Sequence, residues 1–324
     1  MDKLSTIQQP VQREIESLNS TIRMALQTNS QLMNSVVDYY LGAKGKQIRP
    51  LLVLLSARLC APVNEATVNA AAAIELLHNA SLIHDDVVDE SLQRRGRKTV
   101  NGIWDNRIAV LVGDYFVSCA LKCAVKTGLI SIVDTLGMLG QELAKGEIDQ
   151  ISNVEAHVID ESAYFEVIRQ KTASLFVSCM QMGALSVGAS EEVICKLMAF
   201  GEKLGLCFQI RDDIFDYFGD SAIGKPTGND IREGKVTLPL LYALQHGKEE
   251  EVLQMKALLA KKILSVEEIE TLTRFARNNG GIEYAVQVME HLREEGYQVL
   301  SEFETSPVVD SLKQILDYTI ERSK

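Results

Sequence analysis

Apolar residues recur along this chain at the three- and four-residue spacing of α-helices, over long stretches without interruption. Residues 71–78, Ala-Ala-Ala-Ile-Glu-Leu-Leu-His, follow that spacing, and residues 51–60 are almost entirely apolar. Only 6 prolines occur in 324 residues. The stretches between them are rich in Ala, Leu, Glu, Lys and Gln, which are good helix formers. The pattern therefore predicts an all-α bundle.

No Gly-, Ser- or Pro-rich linker divides the chain, so a single domain is expected over residues 1–324. The first 40 residues have the pattern of an amphipathic helix pair. Long helices are predicted at about 65–89, 107–127, 129–154, 160–188 and 191–216. The motifs described below lie in a core of about 40–245. Residues 246–324 are predicted to form shorter, more charged helices that cover this core.

The sequence Asp-Asp-x-x-Asp occurs twice, at 85–89 and at 212–216, each time at the end of a charge-poor helical stretch. On a helix, residues four apart lie on one face with Cβ atoms about 5–6 Å apart, so the outer carboxylates of each copy converge. Such carboxylates repel unless a cation neutralises them. Mg²⁺ binds through one or two carboxylates and completes its shell with water and substrate phosphate. The two motifs together predict Mg²⁺ sites for a polyphosphate.

Cationic residues follow each acidic motif and also lie upstream of it. The cations of these segments are Lys46, Arg49, Arg94, Arg95, Lys171, Lys225 and Lys235. An arginine fork matches phosphate oxygens bidentately, whereas a lysine supplies a point charge. Cations that bind phosphate directly, added to metal ions that bridge phosphate to carboxylate, indicate two polyphosphate substrates.

Two of these features have plainer readings. A single Asp-Asp-x-x-Asp at a helix end is usually a solvated acidic face, but two copies, each followed by basic residues, favour a metal site. Glu75 and His78 have the spacing of one ligand pair of a di-iron bundle, and the chain has no second copy of that pair. His78 lies two turns before Asp85 on one face. Its spacing fits a ligand-facing histidine and a core histidine equally well.

Charge and composition exclude several classes. A formal net charge of −11 argues against a nucleic-acid surface, which needs a basic stripe. The first residues lack the apolar core of a signal peptide. Asp114 and Lys122 interrupt the longest apolar run, so no transmembrane segment is expected. The 6 cysteines form no Cys-x-x-Cys pair and are expected to be buried thiols. These features predict a cytoplasmic protein.

Taken together, the motifs resemble those of the trans-polyprenyl diphosphate synthases, and they occur in family order over about 40–245. The matching segments are 45–50, 75–78, 84–91, 94–96, 112–115, 146–150, 171–173, 209–216 and 224–239. One departure is Lys44, which stands where the family usually has a glycine and which adds a cation to that loop.

The resemblance implies an all-α bundle around a deep central cavity, usually in a homodimer, with about two to three Mg²⁺ ions per active site. The implied metal ligands are Asp85, Asp86, Asp89, Asp212, Asp213 and Asp216. The implied cations for the allylic diphosphate are Arg94, Lys171, Lys225 and Lys235. Those for isopentenyl diphosphate are Lys46, Arg49, His78 and Arg95. Thr172 and Gln209 would line the reacting centre. Catalysis is assigned to Asp85, Asp86, Asp89, Lys171, Asp212 and Asp213.

The implied reaction is a Mg²⁺-dependent, head-to-tail addition of isopentenyl diphosphate to farnesyl or geranyl diphosphate, giving an all-trans chain for quinone side chains. Ala80 and Ser81 precede the first motif where short-chain relatives often carry an aromatic stopper. From spacing alone these small residues equally permit close helix packing. With the resemblance they predict a product of about C30–C50, near octaprenyl. The predicted cavity floor is Leu143, Leu139 and Leu136.

Three alternatives remain open. The first is a shorter-chain farnesyl or geranylgeranyl synthase. The second is a class I terpene cyclase, which would lack a second complete acidic motif and the cations for a second diphosphate. The third is a non-catalytic subunit of a hetero-oligomeric synthase, although such subunits tend to lose the aspartate motifs that this chain keeps.

Overall fold

A computed structural model describes residues 3–42, 45–94, 96–218, 228–261 and 263–322, which are almost entirely helical. The helices up to residue 155 are α1 (Lys3–Gln8), α2 (Gln12–Leu26), α3 (Gln31–Leu41), α4 (Ile48–Cys60), α5 (Glu65–Val88), α6 (Val100–Ile103), α7 (Asn106–Lys126) and α8 (Ile130–Glu155). Those that follow are α9 (Glu161–Ile168), α10 (Ser174–Ser186), α11 (Glu191–Asp216), α12 (Asn229–Arg232), α13 (Leu238–His246), α14 (Glu249–Leu259), α15 (Val266–Asn278), α16 (Gly281–Ser301) and α17 (Pro307–Glu321). The all-α prediction is confirmed.

Short elements connect some of these helices. A 3₁₀ turn, Gln9–Val11, links α1 to α2, and a π-helical turn, Arg169–Ala173, links α9 to α10. Two-residue strands, β1 (Gln93–Arg94) and β2 (Arg97–Lys98), form an antiparallel hairpin after the first acidic motif. The pattern predicted one regular helix over 160–188. The extra residue of a π turn leaves the apolar spacing on either side intact, so periodicity does not reveal it.

Local signals fix where the motif-bearing helices begin. At the start of α5, Asn64 and Thr67 form a capping box, in which Asn64 Oδ1 accepts from the Thr67 backbone N–H at 2.9 Å. Asp105 caps α7 in the same way, accepting from the Ile108 N–H at 2.9 Å. Because α5 begins at Glu65 and ends at Val88, Asp85 lies in its last turn.

The chain divides into two compact units, which are described separately. The first comprises the described residues of Met1–Gly140, Ser178–Met198 and Thr305–Leu312. In this unit α5 packs against α2, α4 and α7. The four alanines at 70–73 are fully buried, and their small side chains let neighbouring helices approach α5 closely.

The second unit comprises the described residues of Gln141–Val177, Ala199–Glu304 and Lys313–Lys324. Here α13 packs against α15 and α16. Its core includes Tyr217, Leu240 and Leu272, all almost completely buried. Because Tyr217 directly follows the second acidic motif, this core anchors the carboxyl end of α11.

Among the described residues, one helix, α7, is long and apolar enough to cross a membrane by length and composition. Of its most apolar stretch, 44% is buried against the rest of the protein. Its outward face carries Leu111, Leu121 and Val125, with exposed fractions of 60%, 49% and 60%. Half of the helix therefore belongs to the core, and the other half presents an apolar stripe.

Candidate active site

A cavity of about 160 Å³ lies beside the second acidic motif, within the second unit. Its walls include five of the residues predicted from sequence: Lys171, Thr172, Gln209, Asp213 and Lys235. They come from the π turn, from α11 and from the segment before α13. The structure therefore brings together a carboxylate, two cations and two neutral polar groups that are up to 64 residues apart, from position 171 to position 235.

A chain of hydrogen bonds joins the polar wall residues. The Thr172 hydroxyl donates to Gln209 Oε1 at 2.6 Å, and Gln209 Nε2 donates to Asp213 Oδ1 at 2.7 Å. On the other side, the Tyr164 hydroxyl donates to Asp213 Oδ2 at 2.6 Å. Asp213, only 4% exposed, is thus held at both carboxylate oxygens.

Two carboxylates share this buried environment. Burial, followed by the charge of Asp230, raises the pKa of Asp213 to about 8. Burial, followed by the charge of Asp216, raises the pKa of Asp230 to about 6. Such shifts mean that the ionised carboxylates have too little positive charge around them. The donor set, oxygen atoms with unmet negative charge, fits a hard divalent cation.

In the part of the chain that the structure describes, no three carboxylate, imidazole or thiolate side chains converge closely enough to hold a metal ion alone. This agrees with the way Mg²⁺ usually binds, through one or two carboxylates with water and substrate phosphate as the remaining ligands.

The π turn positions Lys171 at the cavity. Its ammonium forms an ion pair with Glu147 and donates to Gln150 Oε1 at 3.3 Å. Helix α11 can pass close to this π turn because the residue of α11 that faces it is Gly205. A Cβ on Gly205 would lie 2.5 Å from the Cα of Ala173, a distance that no side chain tolerates. π turns of this kind are frequent at functional sites.

The other two aspartates of the second motif have different partners. Asp212 Oδ1 accepts from Arg322 Nη2 at 2.6 Å. The Arg322 guanidinium also lies over the Phe208 ring, 4.1 Å from its centroid. Asp216 accepts from the backbone N–H groups of Asn229 and Asp230 at 2.9 and 3.0 Å. Asp216 thereby fixes the start of α12 and sets Asp230 in the cavity wall.

Two more of the cations predicted for the allylic diphosphate, Lys225 and Lys235, follow the second acidic motif in the sequence. Lys235 lies in the cavity wall, where its ammonium is 2.6 Å from a carboxylate oxygen of Glu233. Its backbone N–H donates to the Asp230 carbonyl at 2.8 Å. Lys225 lies outside the described residues.

The first acidic motif ends α5 in the first unit. Asp86 is buried and accepts a hydrogen bond from Arg94 Nε at 2.7 Å. Burial raises the pKa of Asp86, and the Arg94 charge offsets part of that rise. Asp85 is half-buried and Asp89 is exposed at the helix end. The two members predicted to share a face are thus the more accessible ones.

The predicted cations for isopentenyl diphosphate also belong to the first unit. Lys46 is exposed just before α4, and Arg49 is half-buried in its first turn. His78 is half-buried on α5. Between Lys46 and Arg49, Gln47 adopts a left-handed backbone with φ of 49°. Arg95 lies outside the described residues.

The residues predicted to set chain length lie on two helices. On α5, Ala80 is fully buried, and Ser81 is half-buried with its hydroxyl donating to the His78 carbonyl at 2.9 Å. On α8, Leu136 and Leu139 are buried and Leu143 is half-buried.

Three residues beside the second acidic motif were not predicted from the sequence as site residues: Tyr164, Asp230 and Arg322. Tyr164 lies seven residues, about two turns, before Lys171, a spacing that could have indicated it. Asp230 lies within a matched segment but outside the Asp-Asp-x-x-Asp pattern. Arg322 is 110 residues from Asp212, and no local signal connects them.

Comparison with known proteins identifies the class. Residues 30–275 match the family model described as polyprenyl synthetase. The chain is 37% identical over 249 residues to octaprenyl diphosphate synthase from Escherichia coli, covering 76% of this chain and 77% of that protein. The chain belongs to the polyprenyl synthetase family, and it is a prenyl transferase of the trans-polyprenyl diphosphate synthase type.

Two solved structures of prenyl synthases are similar to the chain over almost its whole length. Geranylgeranyl pyrophosphate synthase from Bacteroides thetaiotaomicron is 39% identical, with a TM-score of 0.86 and coverage of 99% of this chain and 100% of that one. A polyprenyl synthase from Caulobacter crescentus, complexed with calcium and isoprenyl diphosphate, is 28% identical with a TM-score of 0.91, covering 99% of this chain and 98% of that one.

Proposed function

We propose that this protein is a Mg²⁺-dependent synthase that adds isopentenyl diphosphate units head-to-tail to farnesyl or geranyl diphosphate. The observation that carries the proposal is the cavity in which Lys171, Lys235 and Asp213 lie together. It offers direct cations for phosphate and a buried carboxylate that favours a divalent cation. The related polyprenyl synthase bound to calcium and isoprenyl diphosphate supports that combination of ligands.

The proposed reaction has three steps. The allylic C–O bond breaks, the double bond of isopentenyl diphosphate forms a C–C bond to the allylic cation, and a proton leaves the adduct for the departing diphosphate. Bound Mg²⁺ would neutralise charge that develops on the leaving diphosphate. Lys171 and Lys235 hold that diphosphate. Thr172 and Gln209 line the reacting end, where they orient Asp213 and exclude water.

We propose that the carboxylates of both acidic motifs, together with about two to three Mg²⁺ ions, bind the allylic diphosphate. The metal ligands are Asp85, Asp86, Asp89, Asp212, Asp213 and Asp216. Arg94 and Lys225 would add cations for the same group. Isopentenyl diphosphate would bind to Lys46, Arg49, His78 and Arg95. Asp86, Asp212 and Asp216 already accept hydrogen bonds from the protein, and a metal ion would use the acceptor capacity that remains on their oxygens.

We propose a long product, about C30–C50 and nearest octaprenyl, for quinone side chains. Ala80 is buried and small, and Ser81 is folded back onto its own helix, so neither blocks a growing tail. Leu143, Leu139 and Leu136 would form the floor. The relatives include both an octaprenyl and a geranylgeranyl synthase, so a shorter product is the second candidate.

We further propose that residues 1–324 act as one domain in a cytoplasmic homodimer. The apolar stripe of Leu111, Leu121 and Val125 on α7 suits a second copy of the chain, because burying these exposed side chains against it would remove apolar surface from water. Sedimentation analysis tests this. The wild type should sediment as a dimer and Leu121→Lys as a monomer, and a monomeric wild type would contradict the proposal.

Substrate omission separates the remaining alternatives. The purified chain is incubated with Mg²⁺ and farnesyl diphosphate, with and without isopentenyl diphosphate. A synthase forms product only when both are present. A cyclase releases a hydrocarbon from the allylic substrate alone, and a non-catalytic subunit gives no product in either mixture. Either of the last two results would refute the proposed function.

A further inference from the structure

We propose that Tyr164 is a positioning residue that holds the Asp213 carboxylate in the orientation in which it binds a divalent cation. The inference rests on the proposed metal role of Asp213. Tyr164 lies on α9 in the cavity wall, and its hydroxyl donates to Asp213 Oδ2 at 2.6 Å. Both side chains are buried, with exposed fractions of 9% and 4%.

The two donors to Asp213 come from different elements. Tyr164 on α9 holds Oδ2, and Gln209, one turn earlier on α11, holds Oδ1 at 2.7 Å. Gln209 is itself fixed by the Thr172 hydroxyl. Two donors at opposite oxygens fix the plane of a carboxylate, whereas one donor leaves it free to rotate. Each oxygen of an ionised carboxylate has further acceptor capacity, which remains available to a cation.

The hydroxyl, rather than the ring, carries this role. Phenylalanine at position 164 would keep the ring and its edge contact with Phe165, whose centroid is 5.4 Å away. It would remove the donor to Oδ2. When a buried carboxylate loses a hydrogen-bond donor, more free energy is needed to keep it ionised and in a fixed orientation. Cation affinity should therefore fall while the fold persists.

A matched control is a second tyrosine–carboxylate hydrogen bond that involves α9. Tyr284 on α16 donates to Glu161 Oε1 at 2.7 Å, and Glu161 is in the first turn of α9. Tyr284→Phe removes a tyrosine–carboxylate bond that anchors α9 without touching Asp213. It separates a general loosening of α9 from the loss of one bond to the acidic motif.

The test measures protein-bound Mn²⁺ by electron paramagnetic resonance at a fixed concentration of inorganic diphosphate. In Tyr164→Phe the half-saturating Mn²⁺ concentration should rise about tenfold, the effect of losing one hydrogen bond to a charged group. Tyr284→Phe should match the wild type. In an Asp213→Asn background, Tyr164→Phe should cause no further change. Melting temperatures of all variants, measured without metal, check that they fold.

Unchanged Mn²⁺ affinity in a folded Tyr164→Phe protein would overturn the inference, as would equal losses in both tyrosine variants. The Asp213→Asn protein tells which claim has failed. If it binds Mn²⁺ and diphosphate like the wild type, the proposed metal role of Asp213 is wrong. If it loses binding and Tyr164→Phe does not, only the positioning role of Tyr164 is wrong.

Discussion

Arg94 donates from Nε to Asp86 Oδ1 at 2.7 Å, so two residues assigned by resemblance to phosphate and to metal are hydrogen-bonded to each other. Asp86 is buried, whereas the Arg94 side chain is 39% exposed. The positive charge that compensates the Asp86 carboxylate therefore lies on the hairpin that follows α5. Substrate would have to compete with Asp86 for this arginine.

Removing Arg94 should deprive the buried Asp86 carboxylate of a charged hydrogen-bond donor. We expect Arg94→Ala to lower the free energy of unfolding by about 1–2 kcal/mol, because the partial exposure of Arg94 reduces the full value of a charged hydrogen bond. Urea denaturation measures the change. Arg107→Ala, which removes a side chain that is 90% exposed in its pair with Asp105, should leave the free energy of unfolding almost unchanged and serves as the control. Equal stability of both variants would contradict this account.

Arg322 should stabilise the ligand-free protein through Asp212. It is well buried, pairs with Asp212 at 2.6 Å and covers Phe208, but Asp212 is 42% exposed, which weakens the pair. We expect Arg322→Ala to lower the free energy of unfolding by about 1 kcal/mol in the absence of metal. Arg322→Lys should restore only part of this, because a lysine cannot stack on an aromatic ring as a guanidinium does. Full restoration by lysine would argue against the stacking contribution.

Asp213 should make the metal-free protein less stable as the pH rises from acidic to neutral values. Its pKa in the folded protein, about 8, lies above the ordinary value of about 3.9. A group with a raised folded pKa contributes stability that is fully present below its unfolded pKa and is lost as pH rises through the folded pKa. In chelator, the melting temperature should fall progressively between about pH 4 and pH 8, the interval between the unfolded and the folded pKa of Asp213.

The same experiment has a matched variant. Asp213→Asn cannot ionise and should show a smaller fall over this range. Mg²⁺ with inorganic diphosphate should also reduce the fall in the wild type, because a bound cation stabilises the ionised carboxylate. A wild-type curve that parallels the Asn variant in chelator would show that Asp213 does not titrate in this interval.

Chain length should respond to the residue at position 81. Ser81 lies four residues before Asp85 on α5, one turn along the same helix. A phenylalanine is much bulkier than serine and would obstruct a growing tail that passes this position, so Ser81→Phe should shorten the product by several isoprene units. Chromatography of the dephosphorylated products measures this. Ser81→Ala is the control and should keep the wild-type length. An unchanged product in Ser81→Phe would reject the small-residue explanation.

Helix positions followed from the sequence because apolar periodicity and caps are local. Predicted helices at 65–89 and 107–127 are observed at Glu65–Val88 and Asn106–Lys126. Lys171, Gln209 and Asp213, which line the cavity, were also predicted as site residues because they fall in family motifs. The π turn was missed because an added residue does not disturb the spacing on either side. Arg322 was missed because only tertiary folding brings the carboxyl end of α17 to Asp212.

Mass analysis of the reaction product shows whether the chain makes a polyprenyl diphosphate and how long that product is. The purified chain is incubated with farnesyl diphosphate, isopentenyl diphosphate and Mg²⁺, and with the same substrates in chelator. We expect an all-trans polyprenyl diphosphate of about C30–C50 in the first mixture and none in the second. The Asp213→Ala variant should lose turnover by orders of magnitude. No condensation product from the wild type, or equal product from the variant, would contradict the proposed function.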